Sequence, residues 1–385
     1  MLILKIGANF SERGKFMFLK SINVVNFRNY DNLELELSPN VNIIYGDNAQ
    51  GKTNLLESIY FLAMTKSHRS FIDDNLIREG EKIAKIDGLV SNDDFETNLR
   101  IVLSTASKKM FVDGNNYKKV SDYVSRMNVI IFYPEDLELV KGGPLVRRRY
   151  INLELSQLYS NYMDILNDYK KLIKIKGNYL KGVKSGNKMD DNYYSILNEY
   201  IIKRSVPIYI MRKKFIDKIN MFASSIFFDL SGTKGFNIRY KTSINMDDVD
   251  SDRIGLELRE QSKLLLSDEI KMGKNLLGPS FDDFEFYIDD MNIKKYGSQG
   301  QQRMAVLAIK LSEIEIFKNY LNTSPILLLD DVFSELDSVR KNNLLKYVNS
   351  SIQTIITTTD LDSIDSEIVN GAKLFNIKNG KVERC

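Results

Sequence analysis

The chain has 385 residues, 43% of them hydrophobic and 27% charged, with a formal net charge of +3; these are values of a globular protein large enough for two domains. The small net charge means that any nucleic-acid-binding surface must be local. The single cysteine and the single histidine, Cys385 and His68, exclude an internal disulfide and a metal centre built from several such residues, and no apolar run reaches the roughly 18 residues of a membrane span, so we expect a cytoplasmic protein.

Residues 1–16 form a separate segment at the start of the chain. Met17 directly precedes a strand candidate, Leu19 to Phe27. We therefore expect Met17 to be the natural start and 1–16 to be a non-native extension, with an ordinary N-terminal strand as the alternative.

A phosphate-binding loop follows the first predicted strands. Alternating apolar residues in 19–37 predict a pair of strands, and Val41 to Tyr45 predicts a buried one. An amphipathic helix candidate begins at Asn54. Between strand and helix lie eight residues that match G-x-x-x-x-G-K-[ST]: Gly46, Asp47, Asn48, Ala49, Gln50, Gly51, Lys52 and Thr53.

The chemistry of this loop explains its composition. Glycines let the backbone approach phosphate oxygens, and the loop N–H groups and the helix N-terminus favour an anion. Lys52 can reach the terminal phosphates, and the Thr53 hydroxyl can bind Mg²⁺. The alternative is a chance glycine-rich turn, which the strand–loop–helix context disfavours.

The middle of the chain changes from strands to helices. Strands are predicted within 84–113, with a hairpin at Asp113-Gly114-Asn115, and at Val129 to Tyr133. Apolar residues from Ile151 to Leu172 then follow steps of four and three, as in one helix seam. A second helix is predicted from Tyr193 to Phe222, with Pro207 as a kink or break. These helices predict an antiparallel hairpin; a third helix is expected from Arg253 to Lys271.

The last hundred residues return to an α/β pattern. They predict a strand at Phe284 to Ile288, a helix from Gln299 to Tyr320, and buried strands at Ile326 to Leu329 and Thr354 to Thr357. We therefore expect one α/β head assembled from both chain ends, at 17–146 and 284–385, with a mainly helical domain at 147–283 inserted.

Two aspartates, Asp330 and Asp331, follow the buried strand Ile326 to Leu329. Ligands of open α/β sheets lie beyond the C-terminal ends of strands. There, one acid would hold Mg²⁺ and the other would act on the attacking water. An ordinary strand end at the surface is the alternative.

A second small-residue motif opens the helix before that strand. It contains Ser298, Gln299, Gly300 and Gln301, and a helix N-terminus of this kind can bind an anion. A plain N-cap at Ser298 is the alternative. The acids are followed by Ser334-Glu335-Leu336-Asp337, and this order of motifs favours the functional interpretation.

The order of these motifs resembles that of ABC-type ATPases, and within them the chain is similar to the RecF family of bacterial recombinational DNA repair. The matching stretches extend over 17–385: Asn26-Phe27-Arg28-Asn29-Tyr30, the P-loop with Asn54-Leu55-Leu56-Glu57, Ser67-His68-Arg69, Pro134-Glu135-Asp136-Leu137, Arg147-Arg148-Arg149, Gly297 to Arg303, and Leu329 to Asp337.

The resemblance implies roles for residues of this chain. Arg28 and the P-loop would bind ATP, Asp330 would bind Mg²⁺ and Asp331 would serve the hydrolytic water. Ser298 and Gly300 of the signature would contact ATP held by a second subunit. Ser334 and Asp337 would form the D-loop at the dimer interface.

The resemblance also implies partners. ATP would drive a homodimer that holds duplex and single-stranded DNA at gapped junctions, and RecR and RecO would act with it to help RecA displace single-strand-binding protein.

Three departures from ABC transport ATPases predict slow hydrolysis that serves a switch, and the resemblance implies that this hydrolysis depends on DNA. The signature reads Ser-Gln-Gly-Gln, the second acid is Asp331 where most have glutamate, and Thr358-Thr359-Asp360 supplies no histidine after the last buried strand.

Basic residues concentrate between 147 and 188, where ten Lys or Arg stand against three acids. Phosphate contacts from such residues carry most duplex affinity, and no base-reading motif is present. A solvated helix face is the alternative. The DNA-contact candidates are Arg69, Lys170, Lys171, Lys174 and Lys176.

Three alternatives remain open. An SMC- or Rad50-like chromosome ATPase would have a much longer coiled coil than the 245 positions between Thr53 and Ser298 allow. The ATPase subunit of a membrane transporter would have its motifs closer together. An OLD-type nuclease would need a further acidic metal-binding domain.

Overall fold

The computed structural model describes residues 16–70, 72–345 and 352–383. The predictions for residues 1–15 and Cys385 lie outside this part of the chain. The strands are β1 Phe18–Phe27, β2 Tyr30–Glu36, β3 Val41–Tyr45, β4 Ile83–Ser91, β5 Glu96–Ser104, β6 Ser107–Val112, β7 Asn115–Tyr117, β8 Val129–Phe132, β9 Phe236–Lys241, β10 Asp283–Ile288, β11 Met291–Asn292, β12 Ile326–Asp330, β13 Thr354–Thr358, β14 Lys373–Lys378 and β15 Lys381–Glu383.

The helices include one of 41 residues. They are α1 Lys52–Met64, α2 Ser121–Val124, α3 Glu138–Lys141, α4 Pro144–Leu158, α5 Tyr162–Lys184, α6 Asp191–Ser231, α7 Ser251–Met272, α8 Ile293–Tyr296, α9 Gln299–Ile316, α10 Ser338–Leu345 and α11 Ser366–Gly371.

A six-stranded sheet built from both chain ends carries the predicted nucleotide site. Its order is β15-β14-β3-β13-β12-β8, and all pairs except β14–β15 are parallel. Strand β13 lies between β3, which leads into the P-loop, and β12, which ends in Asp330. Strands β12 and β13 are buried throughout, as expected for parallel strands covered on both faces.

A second sheet, with the order β2-β1-β4-β5-β6-β7, is antiparallel. The P-loop helix α1 contacts strands of both sheets. Leu55 to Met64 are all buried, since a helix between two sheets has no face left for solvent. The predicted hairpin joins β6 to β7, and its two turn residues, Asp113 and Gly114, have φ values of 49° and 79°, as a type I′ turn requires.

The helical region packs α5 and α7 against α6, with the small sheet β11-β10-β9 beside it. Helix α6 also packs against α9 of the head. The structure thus confirms the α/β head assembled from both chain ends with a helical insertion. Among the described residues, no helix combines the length and apolarity that crossing a membrane requires.

One prediction about the helices was wrong, and a second was wrong in one of its two alternatives. The seam from Ile151 to Leu172 is not one helix, because α4 ends at Leu158 and α5 begins at Tyr162. Pro207 does not break α6, which continues to Ser231, and the alternative of a kink at Pro207 stays a prediction. Packing of α6 against α5 and α9 compensates for the backbone hydrogen bond that a proline cannot donate.

Candidate functional site

The P-loop connects β3 to α1 through two glycines that no other residue could replace without strain. Gly46 has φ +145°, and a Cβ there would lie 2.3 Å from the Ile377 carbonyl oxygen. Gly51 has φ +114°, and its Cβ would lie 2.5 Å from Asn29 Nδ2. The neighbouring strand and loop thus hold the P-loop backbone in a shape that leaves room only for hydrogen atoms at these positions.

Lys52 lies folded over this loop. Its Nζ donates hydrogen bonds to the carbonyl oxygens of Gly46 (2.6 Å) and Asp47 (2.8 Å). Burial lowers the pKa of Lys52, and the charges of Asp331, Asp330 and Asp47 act in the opposite direction. A phosphate at the loop would replace two neutral carbonyl acceptors with a stronger, charged one.

Asp330 joins the P-loop to the sheet. Its Oδ1 accepts hydrogen bonds from the hydroxyls of Thr53 (3.0 Å) and of Thr357 on β13 (2.7 Å). Burial raises the pKa of Asp330, and these two hydrogen bonds oppose the rise. Three distant parts of the chain therefore meet at one carboxylate oxygen.

The donor set at this point fits Mg²⁺. A hydroxyl and a carboxylate are hard oxygen ligands, and Mg²⁺ is commonly held by one or two protein ligands together with phosphates and water. Within the described part of the chain, no group of three or more His, Cys, Asp or Glu is arranged to hold a metal ion by itself. Thr53 and Asp330 would thus share the ion with a bound phosphate.

Asp331 follows in the left-handed backbone conformation, with φ 52°. Its N–H donates to Thr357 Oγ1 (3.1 Å), and its carbonyl oxygen accepts from the Ser334 hydroxyl (2.7 Å). Its Oδ1 is buried and has no hydrogen-bond partner among the described residues. Leaving a buried acceptor unpaired is unfavourable, so this oxygen is placed to accept a hydrogen bond from a water molecule.

Arg28 is held beside the P-loop helix by Glu57, a fully buried acid of α1. The guanidinium donates from Nε (2.9 Å) and Nη2 (2.8 Å) to the two carboxylate oxygens, and from Nη1 to the Asn75 carbonyl (2.8 Å). The same carboxylate accepts from the Ser67 hydroxyl and lies 3.9 Å from Arg69 Nη1. Glu57 thereby orients both Arg28, which is predicted to contact the nucleotide, and Arg69, which is predicted to contact DNA.

The signature residues lie at the start of α9. Ser298 caps the helix, because its Oγ accepts from the Gln301 N–H (3.2 Å) and its own N–H donates to Gln301 Oε1 (2.9 Å). Ser298 and Gln299 are exposed, and Gly300 is partly so. Ser298 is therefore an N-cap, as the alternative interpretation stated. Because Ser298 is also exposed, a second molecule can still contact it.

The predicted D-loop lies next to the signature. Arg340 pairs with Asp337 (2.9 Å) and receives a backbone cap from it, since the Arg340 N–H donates to Asp337 Oδ1 (2.9 Å). A Cβ on Gly300 would lie 3.5 Å from Arg340 Nη2. The structure therefore brings Gly300 and Asp337 together through Arg340, a residue to which the sequence analysis assigned no role.

The DNA-contact candidates divide into two groups. Lys170, Lys171 and Lys174 are exposed on α5, and Arg69 Nη1 donates to Asn54 Oδ1 (3.2 Å). Lys176 was wrongly included in this set, because it is 1% exposed and its Nζ lies 2.8 Å from Glu269 of α7. A buried ion pair inside the helical region cannot contact DNA.

His68 lies against the rings of Tyr60 (5.3 Å) and Tyr133 (4.6 Å). Burial, followed by the charge of Arg69, lowers the pKa of His68 to about 3, so its ring is neutral at physiological pH. Neither ring nitrogen has a hydrogen-bond partner among the residues that the structure describes, so no nucleophile there is paired with it.

Three residues of the site had no role in the sequence-based prediction. Glu57 has a usable signal, because an acid four residues after Thr53 falls in the first turns of α1 close to the loop. Arg340 also has a local signal, because it follows Asp337 by three residues at the start of a helix. Thr357 has none, since its partner Asp330 is 27 residues away and only the folded sheet brings the two together.

Known proteins provide an independent comparison. The sequence model of one protein family, described as the RecF/RecN/SMC N terminal domain, matches residues 18–381 of this chain. The DNA replication and repair protein RecF of Staphylococcus haemolyticus is 40% identical over 371 residues, which is 95% of this chain and 100% of that protein. RecF of Lactobacillus johnsonii is 41% identical over 369 residues, with 95% and 99% covered.

Solved structures agree with the sequence relatives. The recombination mediator protein RecF-ATP of the RecFOR pathway is 33% identical and superposes with a TM-score of 0.90, covering 98% of this chain and 100% of that one. The Smc head domain of Pyrococcus furiosus, solved bound to the C-terminal domain of ScpA, is 16% identical with a TM-score of 0.54 and covers 95% of each chain. That second likeness concerns the fold alone.

Proposed function

This chain belongs to the RecF family of DNA replication and repair proteins, ABC-type ATPases with an SMC-like head, and on that premise we propose that it is an ATP-dependent DNA-binding protein of recombinational repair. ATP would drive dimerisation, and the dimer would bind gapped duplex DNA without sequence specificity. Its partners would be RecR and, in the same pathway, RecO and RecA. The domain boundaries at 17–146, 147–283 and 284–385 are part of this proposal.

One observation carries the proposal most directly: Thr53 and Asp330 share a hydrogen bond of 3.0 Å although they lie 277 positions apart. This hydrogen bond joins the P-loop to Asp330 at the end of β12. The hydroxyl of Thr53 and the carboxylate of Asp330 are oxygen ligands of the kind that Mg²⁺ prefers. When bound, Mg²⁺ would neutralise phosphate charge and polarise the phosphoryl group. Lys52 would leave the carbonyls of Gly46 and Asp47 and donate to the terminal phosphates.

Hydrolysis would depend on Asp331. Its unpaired Oδ1 is available to orient the attacking water, but its side chain is one methylene shorter than the more common glutamate. We therefore propose a weak, DNA-dependent ATPase in which hydrolysis resets a switch. A turnover number above about 10 s⁻¹, the median enzyme value, would contradict this.

The second half of the site would come from another copy of the chain. Ser298, Gln299 and Gly300 face solvent to differing degrees, and the adjacent Asp337 is exposed as well. A surface of small and polar groups at a helix N-terminus suits the phosphate of a partner's ATP. Dimerisation would then be conditional on ATP, because the nucleotide itself forms part of the interface.

DNA contacts are proposed at Lys170, Lys171 and Lys174 on α5 and at Arg69 near the P-loop. Lys171 lies 3.7 Å from Asp168, a weak exposed pair that a phosphate can displace. These are backbone-type contacts, so they predict salt-dependent affinity with no base preference.

Fluorescence anisotropy with a gapped duplex tests the proposal. The wild-type protein should bind more tightly with ATP–Mg²⁺ than without, and Lys52→Met should remove the ATP dependence. Charge reversal at Lys171 and Lys174 should weaken binding and reduce its salt dependence. Equal affinity in the presence and absence of ATP would refute the switch.

A further inference from the structure

A cleft with a volume of about 890 Å³ lies outside the P-loop site. Its walls come from the segment after α1, from β6, from the loop after β8, and from α4 and α5. The volume falls in the range of about 300–1,000 Å³ in which small-molecule sites are found, and such sites are often formed between domains. The cleft is therefore large enough for a nucleotide.

Seven basic side chains line this cleft, and four of them lie close enough to repel one another: Lys66, Lys108, Arg149 and Lys170. Desolvation, followed by the positive charges of Lys170, Lys108 and Arg149, lowers the pKa of Lys66. Lys108 is paired with Asp73 (2.7 Å), and Arg149 donates to the Ser67 carbonyl (2.9 Å). Neither Lys66 nor Lys170 lies within ion-pair distance of any acid that the structure describes.

Most acidic side chains of the cleft already have partners, and Asp73 is the one paired with a member of the cationic group. Asp136 lies 3.8 Å from Lys310, and Glu154 accepts a hydrogen bond from Gln157 (3.0 Å). Glu135 is the exposed acid on the wall. Asp73 thus offsets part of the positive charge through Lys108, while Lys66 and Lys170 have no acid within ion-pair distance in the described part of the chain, and an anion between these two lysines would be favourable.

His68 supplies an independent sign of a ligand. Its side chain lines the cleft and is only 7% exposed. Neither Nδ1 nor Nε2 has a hydrogen-bond partner among the described residues. A neutral imidazole offers one donor and one acceptor, and buried polar atoms are normally paired. A ligand with both kinds of group would satisfy it.

Aromatic side chains complete the lining. Tyr60 and Tyr133 flank His68 and also border the cleft. Aromatic rings stack with nucleobases of any sequence, whereas lysine and arginine bind phosphate. A cationic region beside an aromatic one matches the two ends of a nucleotide.

We propose that this basic cleft, lined by Lys66, Arg149, Lys170 and His68, is a second phosphate-binding site that takes one nucleotide unit. The unit has two possible sources, an unpaired nucleotide at the end of a DNA strand or a free nucleotide. The inference rests on the proposed function only in naming DNA as one source.

The probe is a fluorescent, 5′-phosphorylated, single-stranded tetranucleotide, titrated with the full-length protein in the absence of ATP and Mg²⁺. Its anisotropy should rise with the wild type, and Lys66→Glu/Lys170→Glu should weaken binding at least about tenfold, since two charge-assisted hydrogen bonds become repulsions. His68→Phe replaces the imidazole with another aromatic ring that has no nitrogen, and it should weaken binding several-fold.

The matched control is Lys109→Glu, which makes the same charge change on β6 with the side chain on the opposite face from Lys108. It should bind the probe like the wild type. Far-UV circular dichroism and a thermal melt establish that each variant is folded. Wild-type affinity in the double variant, or equal losses in the double variant and in Lys109→Glu, would overturn the proposal.

Competition distinguishes the two sources. Displacement by thymidine monophosphate at concentrations similar to those of unlabelled tetranucleotide would assign the cleft to free nucleotides. Displacement by the oligonucleotide alone would assign it to strand ends. Both results support the site.

Lys52→Met separates this site from the ATP site. It should leave tetranucleotide binding intact, and loss of binding would instead place the probe at the P-loop and overturn the proposal. ATP-independent binding of gapped DNA together with intact tetranucleotide binding would refute the proposed function and leave the cleft standing.

Discussion

The two halves of the candidate ATP site differ in how complete they are within one chain. In the P-loop half, Lys52, Thr53 and Asp330 are joined by hydrogen bonds to the backbone and to β13. In the signature half, Ser298 and Asp337 are exposed at a capped helix and a loop. One half is pre-organised by its own fold, while the other presents a surface that a second molecule must cover.

The largest expected effect is on the pre-organised half. Gly46→Ala should destabilise folding by at least about 3 kcal/mol, because the new Cβ would lie 2.3 Å from the Ile377 carbonyl oxygen at a φ of +145°. Urea unfolding measures the change. Gly177→Ala is the control: nothing lies within 4 Å of its Cβ on α5, and it should stabilise by up to about 1 kcal/mol. Equal stability of the two variants would contradict the steric explanation.

Asp331→Asn tests ATP hydrolysis separately from ATP-driven dimerisation. Asparagine tolerates the left-handed backbone of this position but accepts a proton from water poorly. Single-turnover hydrolysis should slow by about 100-fold or more, while ATP-driven dimerisation persists. Unchanged hydrolysis would remove Asp331 from its assigned role.

Beneath the exposed signature, helix α9 is anchored by buried charges. Lys310 lies 3.8 Å from Asp136, and Glu313 accepts a hydrogen bond from Tyr150 of α4. Burial raises the pKa of Glu154 to about 7 from 4.5, with Lys310 opposing the rise. The signature half therefore has buried, hydrogen-bonded side chains along α9 and an exposed N-terminus.

This cluster predicts a pH dependence of stability. Between about pH 4.5 and 7, the folded state holds a proton on Glu154 that the unfolded state has lost, so stability should fall as pH rises. Glu154→Gln should make this decrease smaller without abolishing it, because the pKa of the neighbouring Glu313 is also raised by burial. Urea unfolding at a series of pH values measures it, with Glu260→Gln as the control on the exposed surface of α7. An unaltered pH profile in Glu154→Gln would contradict the assignment.

The smallest expected effect concerns the cap of the signature helix. Ser298→Ala removes the bond from the Gln301 N–H and should cost about 1 kcal/mol of stability. If Ser298 only caps the helix, ATP-driven dimerisation should survive this change and also survive Ser298→Asp, which caps equally well. If Ser298 also contacts phosphate, the aspartate variant should fold normally and fail to dimerise.

The sequence predicted the pre-organised half well because its signals are local. A P-loop, a buried strand and paired aspartates each occupy a few consecutive residues, and parallel strand ends bring them together. The sequence did not predict a role for Thr357. The Thr357 hydroxyl is hydrogen-bonded to both Asp330 and Asp331, but in the sequence this residue is like any other threonine of a buried strand.

The helical region shows that apolar periodicity alone does not predict where one helix ends and the next begins. The seam from Ile151 to Leu172 continues through the turn between α4 and α5, so the apolar spacing does not reveal the break. Lys176 resembles its neighbours Lys171 and Lys174 in sequence. Its burial depends on Glu269, 93 positions away, and no local pattern reports that pairing.

Static light scattering of the purified protein, with and without ATP–Mg²⁺, tests most directly whether two incomplete surfaces close over ATP. The wild type should change from monomer to dimer only with ATP, whereas Lys52→Met and Ser298→Arg should each remain monomeric. An equal mixture of the two variants should form dimers, because one composite site then combines an intact P-loop with an intact signature. A wild type that stays monomeric with ATP, or a Ser298→Arg protein that dimerises as the wild type does, would contradict closure in trans.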